Sequence, residues 1–158
     1  MNKTKKIGVA FSGGGHYLEA LKACSLLLNS ENYDIFYVTY KPSKPTDFGK
    51  RSYFVAHPEH GFILKRLFLL MVNFVNSFKV FLKERPDLII STGADVTLSI
   101  MLIAKIFNKK LVFIESGANV TKPSLTGRLI YRFADVFIIQ WEELKVIYPK
   151  AIVGINLL

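Results

Sequence analysis

A chain of 158 residues, 51% apolar and 13% aromatic, has the length and apolar content for one folded domain with a real core, which excludes a disordered protein. Its formal net charge of +9 points to a partner bearing negative charge, whether nucleic acid, an anionic lipid headgroup or a phosphorylated small molecule. The single cysteine, Cys24, excludes an internal disulfide and a cysteine-based zinc site, and reads as a small buried apolar residue in a reducing, cytosolic setting.

The basic start Met1–Lys6 precedes an apolar run too short for a signal peptide, and no stretch reaches the roughly 18 apolar residues needed to span a bilayer. The expectation is a chain that does not cross a membrane, which leaves open lying on one. Ile7–Phe11 reads as the first strand and His16–Leu28 as the first helix, with Leu18, Leu21, Ser25 and Leu28 on one side. Asp34–Thr39 is a second strand, rich in β-branched and aromatic residues, so the chain opens with a βαβ unit. Tyr40–Ser52, with two prolines and four cations, is either a solvated loop or a lid over an anionic surface. Tyr53–Ala56 is a short third strand, and His57 and His60 follow as exposed loop residues.

Phe62–Glu84 is a long helix whose polar positions, Arg66, Asn73, Asn76, Ser77 and Glu84, fall along one stripe. The rest is more apolar than a helix resting on a sheet requires. Either it packs between the sheet and a neighbour, or part of its face meets a membrane or partner, with Lys65, Arg66, Lys79 and Lys83 reaching toward headgroups. Arg85–Pro86–Asp87 stops it. Leu88–Ser91, very apolar, is a central strand. The helix Val96–Phe107, the strand Leu111–Ile114 and the helix Leu125–Phe133, with Pro123 and Ser124 at its start, come next. Val136–Gln140, a short helix Trp141–Ile147 and a last strand Ala151–Val153 complete the order.

This alternation predicts an α/β fold, a Rossmann-like doubly wound parallel sheet with helices on both faces. Ligands in such folds sit at the carboxyl ends of the strands. Three loops there carry small or polar residues: Ser12–His16, Ser91–Asp95 and Glu115–Asn119. The run Phe11–Tyr17 lacks the third glycine of the dinucleotide fingerprint, no acidic residue closes the second strand, and no Gly-Lys-Ser/Thr makes it a P-loop. Gly13, Gly14 and Gly15 are thus either a ligand cradle or a tight turn. His16 opens a helix, where the dipole disfavours an imidazolium; it is a general base for a sugar hydroxyl or a residue that positions the loop. Glu115 is an anchor for an acceptor sugar or an ion-pair partner within the fold, and Asp95 is equally a helix N-cap. Metal-ligand spacing, a nucleophile elbow and a nucleic-acid module are absent from the sequence, so neither a metal nor a nucleic-acid partner is expected.

Taken together, Phe11–His16, Ser91–Asp95, Ile114–Ser116, Leu125–Asp135 and Gln140–Trp141 resemble, in order and with similar spacing, the Alg14-like oligosaccharide and capsular polysaccharide biosynthesis family. The glycine loop, the second loop and the segment from Glu115 also look like the N-terminal half of the murein glycosyltransferase that makes lipid II. The resemblance implies a single N-terminal-type GT-B domain over residues 1–158, the acceptor-side half of a split glycosyltransferase. A separate donor-binding subunit would hold the UDP-sugar, so no cofactor is expected on this chain. The pair would transfer the sugar to a lipid-pyrophosphate-linked acceptor at the cytosolic face of a membrane. The N-terminal spanning segment of eukaryotic relatives is missing from the sequence, which implies peripheral attachment and favours a bacterial or archaeal pathway. Carried onto this chain, Ser12, Gly13, Gly14, Gly15 and His16 would line the cleft near the pyrophosphate and the reacting hydroxyl. Gly93, Asp95, Glu115 and Ser116 would frame the acceptor, with His16 and Glu115 as the catalytic candidates. Lys65, Arg66 and Lys79 would meet the membrane surface. Trp141, Leu157 and Leu158 would dock the partner.

Overall fold

Short β-branched and aromatic runs between turn residues pair side by side, and each is tied to the next by a helix that must cross back over the sheet. The computed structural model describes residues 4–43, 46–58, 61–154 and 156–157. The strands are β1 (Lys5–Ala10), β2 (Tyr33–Thr39), β3 (Arg51–Phe54), β4 (Leu88–Ser91), β5 (Lys110–Ile114), β6 (Val136–Ile139) and β7 (Ile152–Val153). They form one sheet in the order β3-β2-β1-β4-β5-β6-β7, with every neighbouring pair parallel. The helices are α1 (Gly15–Ala23), α2 (Ser25–Leu28), α3 (Ile63–Glu84), α4 (Leu98–Ile106) and α5 (Leu125–Ile130), with 3-10 turns at Asp95–Thr97 and Glu142–Val146. The expected Rossmann-like α/β order holds. The third strand starts two residues earlier than expected, at Arg51, because its side chain closes an ion-pair cluster described below.

Side chains alternate across the strands with period two. Ala10, Phe36, Val38, Ile89, Leu111 and Phe113 enter one core with α3, α4 and α5. Ile7, Val9, Phe11, Ile35, Tyr37 and Ile90 enter the other with Ala20 and Cys24 of the first helical segment. Gly8 is required at the centre of β1: a Cβ there would lie 2.6 Å from Ile89 and 2.8 Å from Phe36. The expected first helix breaks at Cys24 into α1 and α2. Its buried side is Glu19, Ala20 and Cys24, while Leu18 points outward. Burial pushes the Cys24 thiol up to about 11, consistent with a packed, unreactive side chain.

The long helix α3 faces the opposite way from an ordinary amphipathic helix. Asn73, Ser77 and Glu84 are buried, whereas Leu64, Leu67, Phe68, Met71, Phe74, Val75, Phe78 and Leu82 are exposed. The polar stripe is used internally. Asn73 Nδ2 donates to the carbonyls of Ala56 (2.6 Å) and Val96 (3.0 Å), and Asn76 Oδ1 accepts from the Ala56 N–H (3.3 Å). At the C-terminal end of α3 the Glu84 carboxylate, 4% exposed, accepts from Lys6 Nζ at 3.1 Å and from Arg51 Nε and Nη2 at 2.8 and 2.9 Å, with a short hydrogen bond from the Tyr53 hydroxyl. Arg85 then turns into the left-handed region (φ 49°) and Pro86 follows, which ends the helix.

Burial alone would raise the Glu84 pKa, but the Tyr53, Lys6 and Arg51 donors outweigh it and hold the carboxyl below its ordinary value. The group binds its proton less readily folded than unfolded, so its stabilisation is present above the unfolded carboxylate pKa of about 4.3 and is lost as pH falls through the lower folded value. Replacing Glu84 by Ala removes the shared acceptor of Lys6, Arg51 and Tyr53, and because both cations stay partly in water it is expected to cost about 1–3 kcal/mol in urea unfolding near neutral pH. The difference between wild type and Glu84→Gln should shrink below about pH 4; a gap that does not change with pH would remove Glu84 from the acid response.

Candidate functional site

Strand β1 lies between β2 and β4, and the chain leaves β1 and β4 toward opposite faces of the sheet: α1 into one core, α4 into the other. That divergence is the topological switch point, where the crossovers leave a crevice at the carboxyl edge. Two of the three expected loops flank it. Thr92 joins them, its N–H bonding to the Ala10 carbonyl (3.2 Å) and its Oγ1 to the His16 carbonyl (2.8 Å).

In the first loop Gly14 has φ 66°, a conformation that favours glycine. A Cβ on Gly14 or Gly15 would meet nothing within 4 Å, so this backbone faces open space. Gly13 is packed: a Cβ there would sit 2.6 Å from the Tyr40 hydroxyl. Ser12 Oγ donates to the Gly13 carbonyl at 3.4 Å. Gly14 caps α1 with no side-chain hydrogen bond, leaving the first N–H groups of the helix to solvent or a ligand. In the second loop Ser91 Oγ donates to Thr97 Oγ1 (3.0 Å) and accepts from the Gly93 N–H (3.1 Å), while Thr97 Oγ1 bonds to the Ala94 carbonyl (2.8 Å). This knot holds Gly93 at φ 103° and Ala94 at φ 71°, the latter a strained value for a residue with a side chain. Asp95 makes no helix cap; its carboxylate pairs with Arg66 Nη2 at 3.4 Å, so Arg66 lies over the crevice edge. Lys65 and Lys79 stand exposed on α3.

His16 rests against Gly93: a Cβ on that glycine would sit 3.6 Å from the imidazole Cε1. On its other side Nδ1 approaches Glu19 Oε2 at 3.4 Å, an ion-pair distance at which no aligned hydrogen bond is made. Glu19, 1% exposed, was not among the sequence candidates; its position three residues after His16 on a helix was the available signal.

Of the two roles expected for Glu115, an ion pair within the fold is not made among the described residues. Glu115 is buried, and both oxygens are taken by neutral donors: Oε1 by Asn119 Nδ2 (2.9 Å) and the Ser116 N–H (3.3 Å), Oε2 by Ser124 Oγ (3.1 Å) and N–H (3.3 Å) and by the Tyr148 hydroxyl (3.4 Å). Burial and then the Glu115 carboxylate push the Tyr148 phenol far above its usual range. Ser124 Oγ also accepts from the Gly127 N–H (2.8 Å), which makes it the N-cap of α5. Ser116 is buried with its hydroxyl on Glu19 (3.1 Å). Trp141 Nε1 donates to the Gly117 carbonyl (2.7 Å), bracing the same loop. Leu157 lies in the second core with its N–H on Gln140 Oε1 (2.6 Å), while Ile152 and Val153 of the edge strand β7 are exposed. Leu158 and His60 lie outside the described residues.

A cleft of about 620 Å³ opens beside the glycine loop, lined among others by Gly13, Gly14, Tyr17, Tyr40, Lys41 and His57. His57 is half-buried rather than exposed, because its ring stacks on Tyr40 (centroids 4.5 Å apart, 13° between planes). Among the described residues no cluster of three or more His, Cys, Asp or Glu could hold a metal ion, and no helix is long and apolar enough to cross a membrane.

Sheet order and crevice together define a Rossmann-like α/β protein of the kind found in GT-B-type chains. Residues 60–155 match the family described as oligosaccharide biosynthesis protein Alg14 like, and the chain belongs to that family. It is 34% identical over 82 residues to the UDP-N-acetylglucosamine transferase subunit ALG14 of Mus musculus, an alignment covering 48% of this chain and 38% of the mouse protein. The chain thus spans well under half the length of that relative. Its fold is similar to the crystal structure of MurG from Acinetobacter baumannii (TM-score 0.70, 14% identity, 88% of this chain and 42% of that one). It is likewise similar to UDP-GlcNAc 2-epimerase from Neisseria meningitidis bound to UDP-GlcNAc (TM-score 0.71, 13% identity, 96% and 47%).

Gly127 separates α5 from the Glu115 network: a Cβ there would overlap Glu115 Oε2 and come within 2.9 Å of Ser124 Oγ and the Tyr148 hydroxyl. Gly127→Ala is therefore expected to lower stability by about 1–3 kcal/mol or more in urea unfolding, against the small gain that alanine brings to an exposed helix. A variant as stable as wild type would show that the network yields.

Proposed function

We propose that this chain is the acceptor-side, membrane-docked subunit of a two-component UDP-sugar glycosyltransferase acting in oligosaccharide or polysaccharide biosynthesis, with a separate donor-binding subunit closing over the crevice. The observation that carries this reading is the juxtaposition of His16 with open glycine backbone at the switch point, in a chain whose family relatives are named as subunits of a UDP-N-acetylglucosamine transferase. On this reading Ser12, Gly13, Gly14 and Gly15 cradle the pyrophosphate of a lipid-linked acceptor with their backbone N–H groups. His16 accepts the proton of the attacking sugar hydroxyl. Gly93 and Asp95 shape the opposite lip. Glu115 and Ser116 act from beneath, holding the third loop in place. The partner docks near Trp141 and the exposed edge strand β7, with the C-terminal segment through Leu157 behind it.

Membrane docking rests on α3. Its outward apolar stripe has Lys65, Lys79 and Lys83 at helical spacing along one flank, the pattern of a helix that lies in a membrane interface. Arg66, held by Asp95, stands between that surface and the crevice. Each cation near an anionic surface adds on the order of 1 kcal/mol, so a few with one inserted apolar face support reversible, peripheral attachment.

Reconstitution tests the catalytic reading. The purified chain, a donor-binding partner, UDP-N-acetylglucosamine and a lipid-pyrophosphate acceptor should give transfer only when both proteins are present, and His16→Ala should lower the rate about 10²-fold. Full activity from this chain alone would end the split-enzyme reading. An unchanged rate for His16→Ala would leave a scaffold that recruits the enzyme.

Flotation with vesicles containing anionic lipid tests the surface. Binding should weaken with added salt, fall with Lys65→Glu plus Lys79→Glu, and vanish with Met71→Asp plus Phe78→Asp. Equal flotation of all three proteins would assign the exposed face of α3 to a protein partner instead.

A further inference from the structure

A buried carboxylate needs compensation for the water it loses. Glu19 Oε1 has it: the oxygen accepts from the Gly117 N–H (2.7 Å), Ser116 Oγ (3.1 Å) and Gln140 Nε2 (3.3 Å). These donors come from the loop after β5 and the end of β6, so the carboxylate is fixed from outside its own helix. Oε2 has no such partner. It lies 3.4 Å from His16 Nδ1, itself buried and without a hydrogen-bond partner among the described residues. Burial raises the Glu19 pKa, but the neighbouring imidazole of His16 and the Gly117 and Ser116 donors more than offset it and hold the carboxyl below its ordinary value.

Two orphaned atoms that face each other at 3.4 Å have one mutually favourable arrangement. If Nδ1 carries the proton, the positive end of its N–H lies beside the carboxylate; if Nδ1 is bare, a lone pair lies beside a negative charge. The His16 side chain is 29% exposed, its Cε1 faces Gly93, and Thr92 fixes the backbone at the His16 carbonyl. We propose that Glu19 is a positioning residue for His16: its buried carboxylate holds the imidazole as the Nδ1–H tautomer and leaves Nε2 as the proton acceptor at the crevice. This deepens the reading of His16 as a base and rests on it for its catalytic consequence. In the transfer step the acceptor O–H bond breaks and its proton goes to Nε2. The oxygen lone pair forms the bond to the sugar's anomeric carbon while the bond to the leaving nucleoside diphosphate breaks. The imidazolium so formed keeps its Nδ1–H on the Glu19 carboxylate, which stabilises the new charge.

The experiment is long-range ¹H–¹⁵N NMR of the ¹⁵N-labelled full chain, at a pH where His16 is neutral. The expected wild-type pattern is a protonated Nδ1 and a bare Nε2. In Glu19→Gln the amide oxygen keeps the Gly117 and Ser116 donors and its NH₂ turns toward Nδ1, so the tautomer should invert to Nε2–H. A wild-type His16 that is already Nε2–H overturns the proposal, as does a folded Glu19→Gln with an unchanged pattern. If Glu19→Gln fails to fold, the wild-type tautomer decides alone. In the reconstituted pair Glu19→Gln should lower kcat about 10- to 100-fold with little change in acceptor KM. Inversion of the tautomer with an unchanged rate would support the Glu19 assignment and defeat the base reading. A slow His16→Ala beside an unmoved tautomer in Glu19→Gln would defeat the Glu19 assignment and keep the base.

Discussion

Parallel pairing imposes the constraint that shapes this protein's edge. Each strand must be followed by a crossover, and the crossovers after β1 and β4, though the strands are neighbours, run to opposite faces of the sheet. The two loops meet where Thr92 and Gly93 approach His16, and the cleft opens on the other side of the glycine loop, toward Tyr40 and His57. The Ser91–Thr97 knot holds the second loop against the first, with Thr92 Oγ1 bonded to the His16 carbonyl. Strain at Ala94 falls at this point, where surrounding bonds over-determine the backbone.

The same loops explain why α3 is turned inside out. The segments after β3 and β4 leave carbonyls at the sheet edge that need donors, and Asn73 serves both, to Ala56 and to Val96. Glu84 does the equivalent work at the far end by gathering Lys6, Arg51 and Tyr53. With its polar stripe spent inward, the helix presents Leu67, Met71, Phe74 and Phe78 outward. So large an apolar surface on a folded domain marks an interaction site. The Arg66–Asp95 pair ties the inward side of the same helix to the second loop.

Three buried glutamates illustrate how environment assigns different work to one side chain. Glu84 is neutralised by cations and fixes the end of a helix. Glu115 is saturated by neutral donors and fixes a loop. Glu19 has one oxygen saturated and one oriented toward an imidazole at the edge of the cleft. Of the three, it alone has an oxygen without a hydrogen-bond partner among the described residues, and Gln140, which bonds both to it and to Leu157, links it to the C-terminal segment.

Much was legible in the sequence. Bounded apolar runs between glycines and prolines marked all seven strands to within a few residues, and Ser124 before Leu125 marked a helix cap that the structure contains. Gly13–His16 and Ser91–Asp95 were assigned to one sheet edge because parallel strands allow no other place for them. Direction and partnership were not legible, since these depend on contacts between residues far apart in the chain. Periodicity located the polar stripe of α3 but not that loop carbonyls would draw it inward. Residue type made Glu115 a candidate, while the Asn119, Ser124 and Tyr148 donors that occupy it come from separate elements. Glu19 looked like an ordinary helix residue until folding brought Ser116, Gly117 and Gln140 around one of its oxygens and left the other facing His16. Local sequence specifies elements through short-range sterics and hydrophobic period, whereas the saturation of a buried charge is a property of tertiary packing alone.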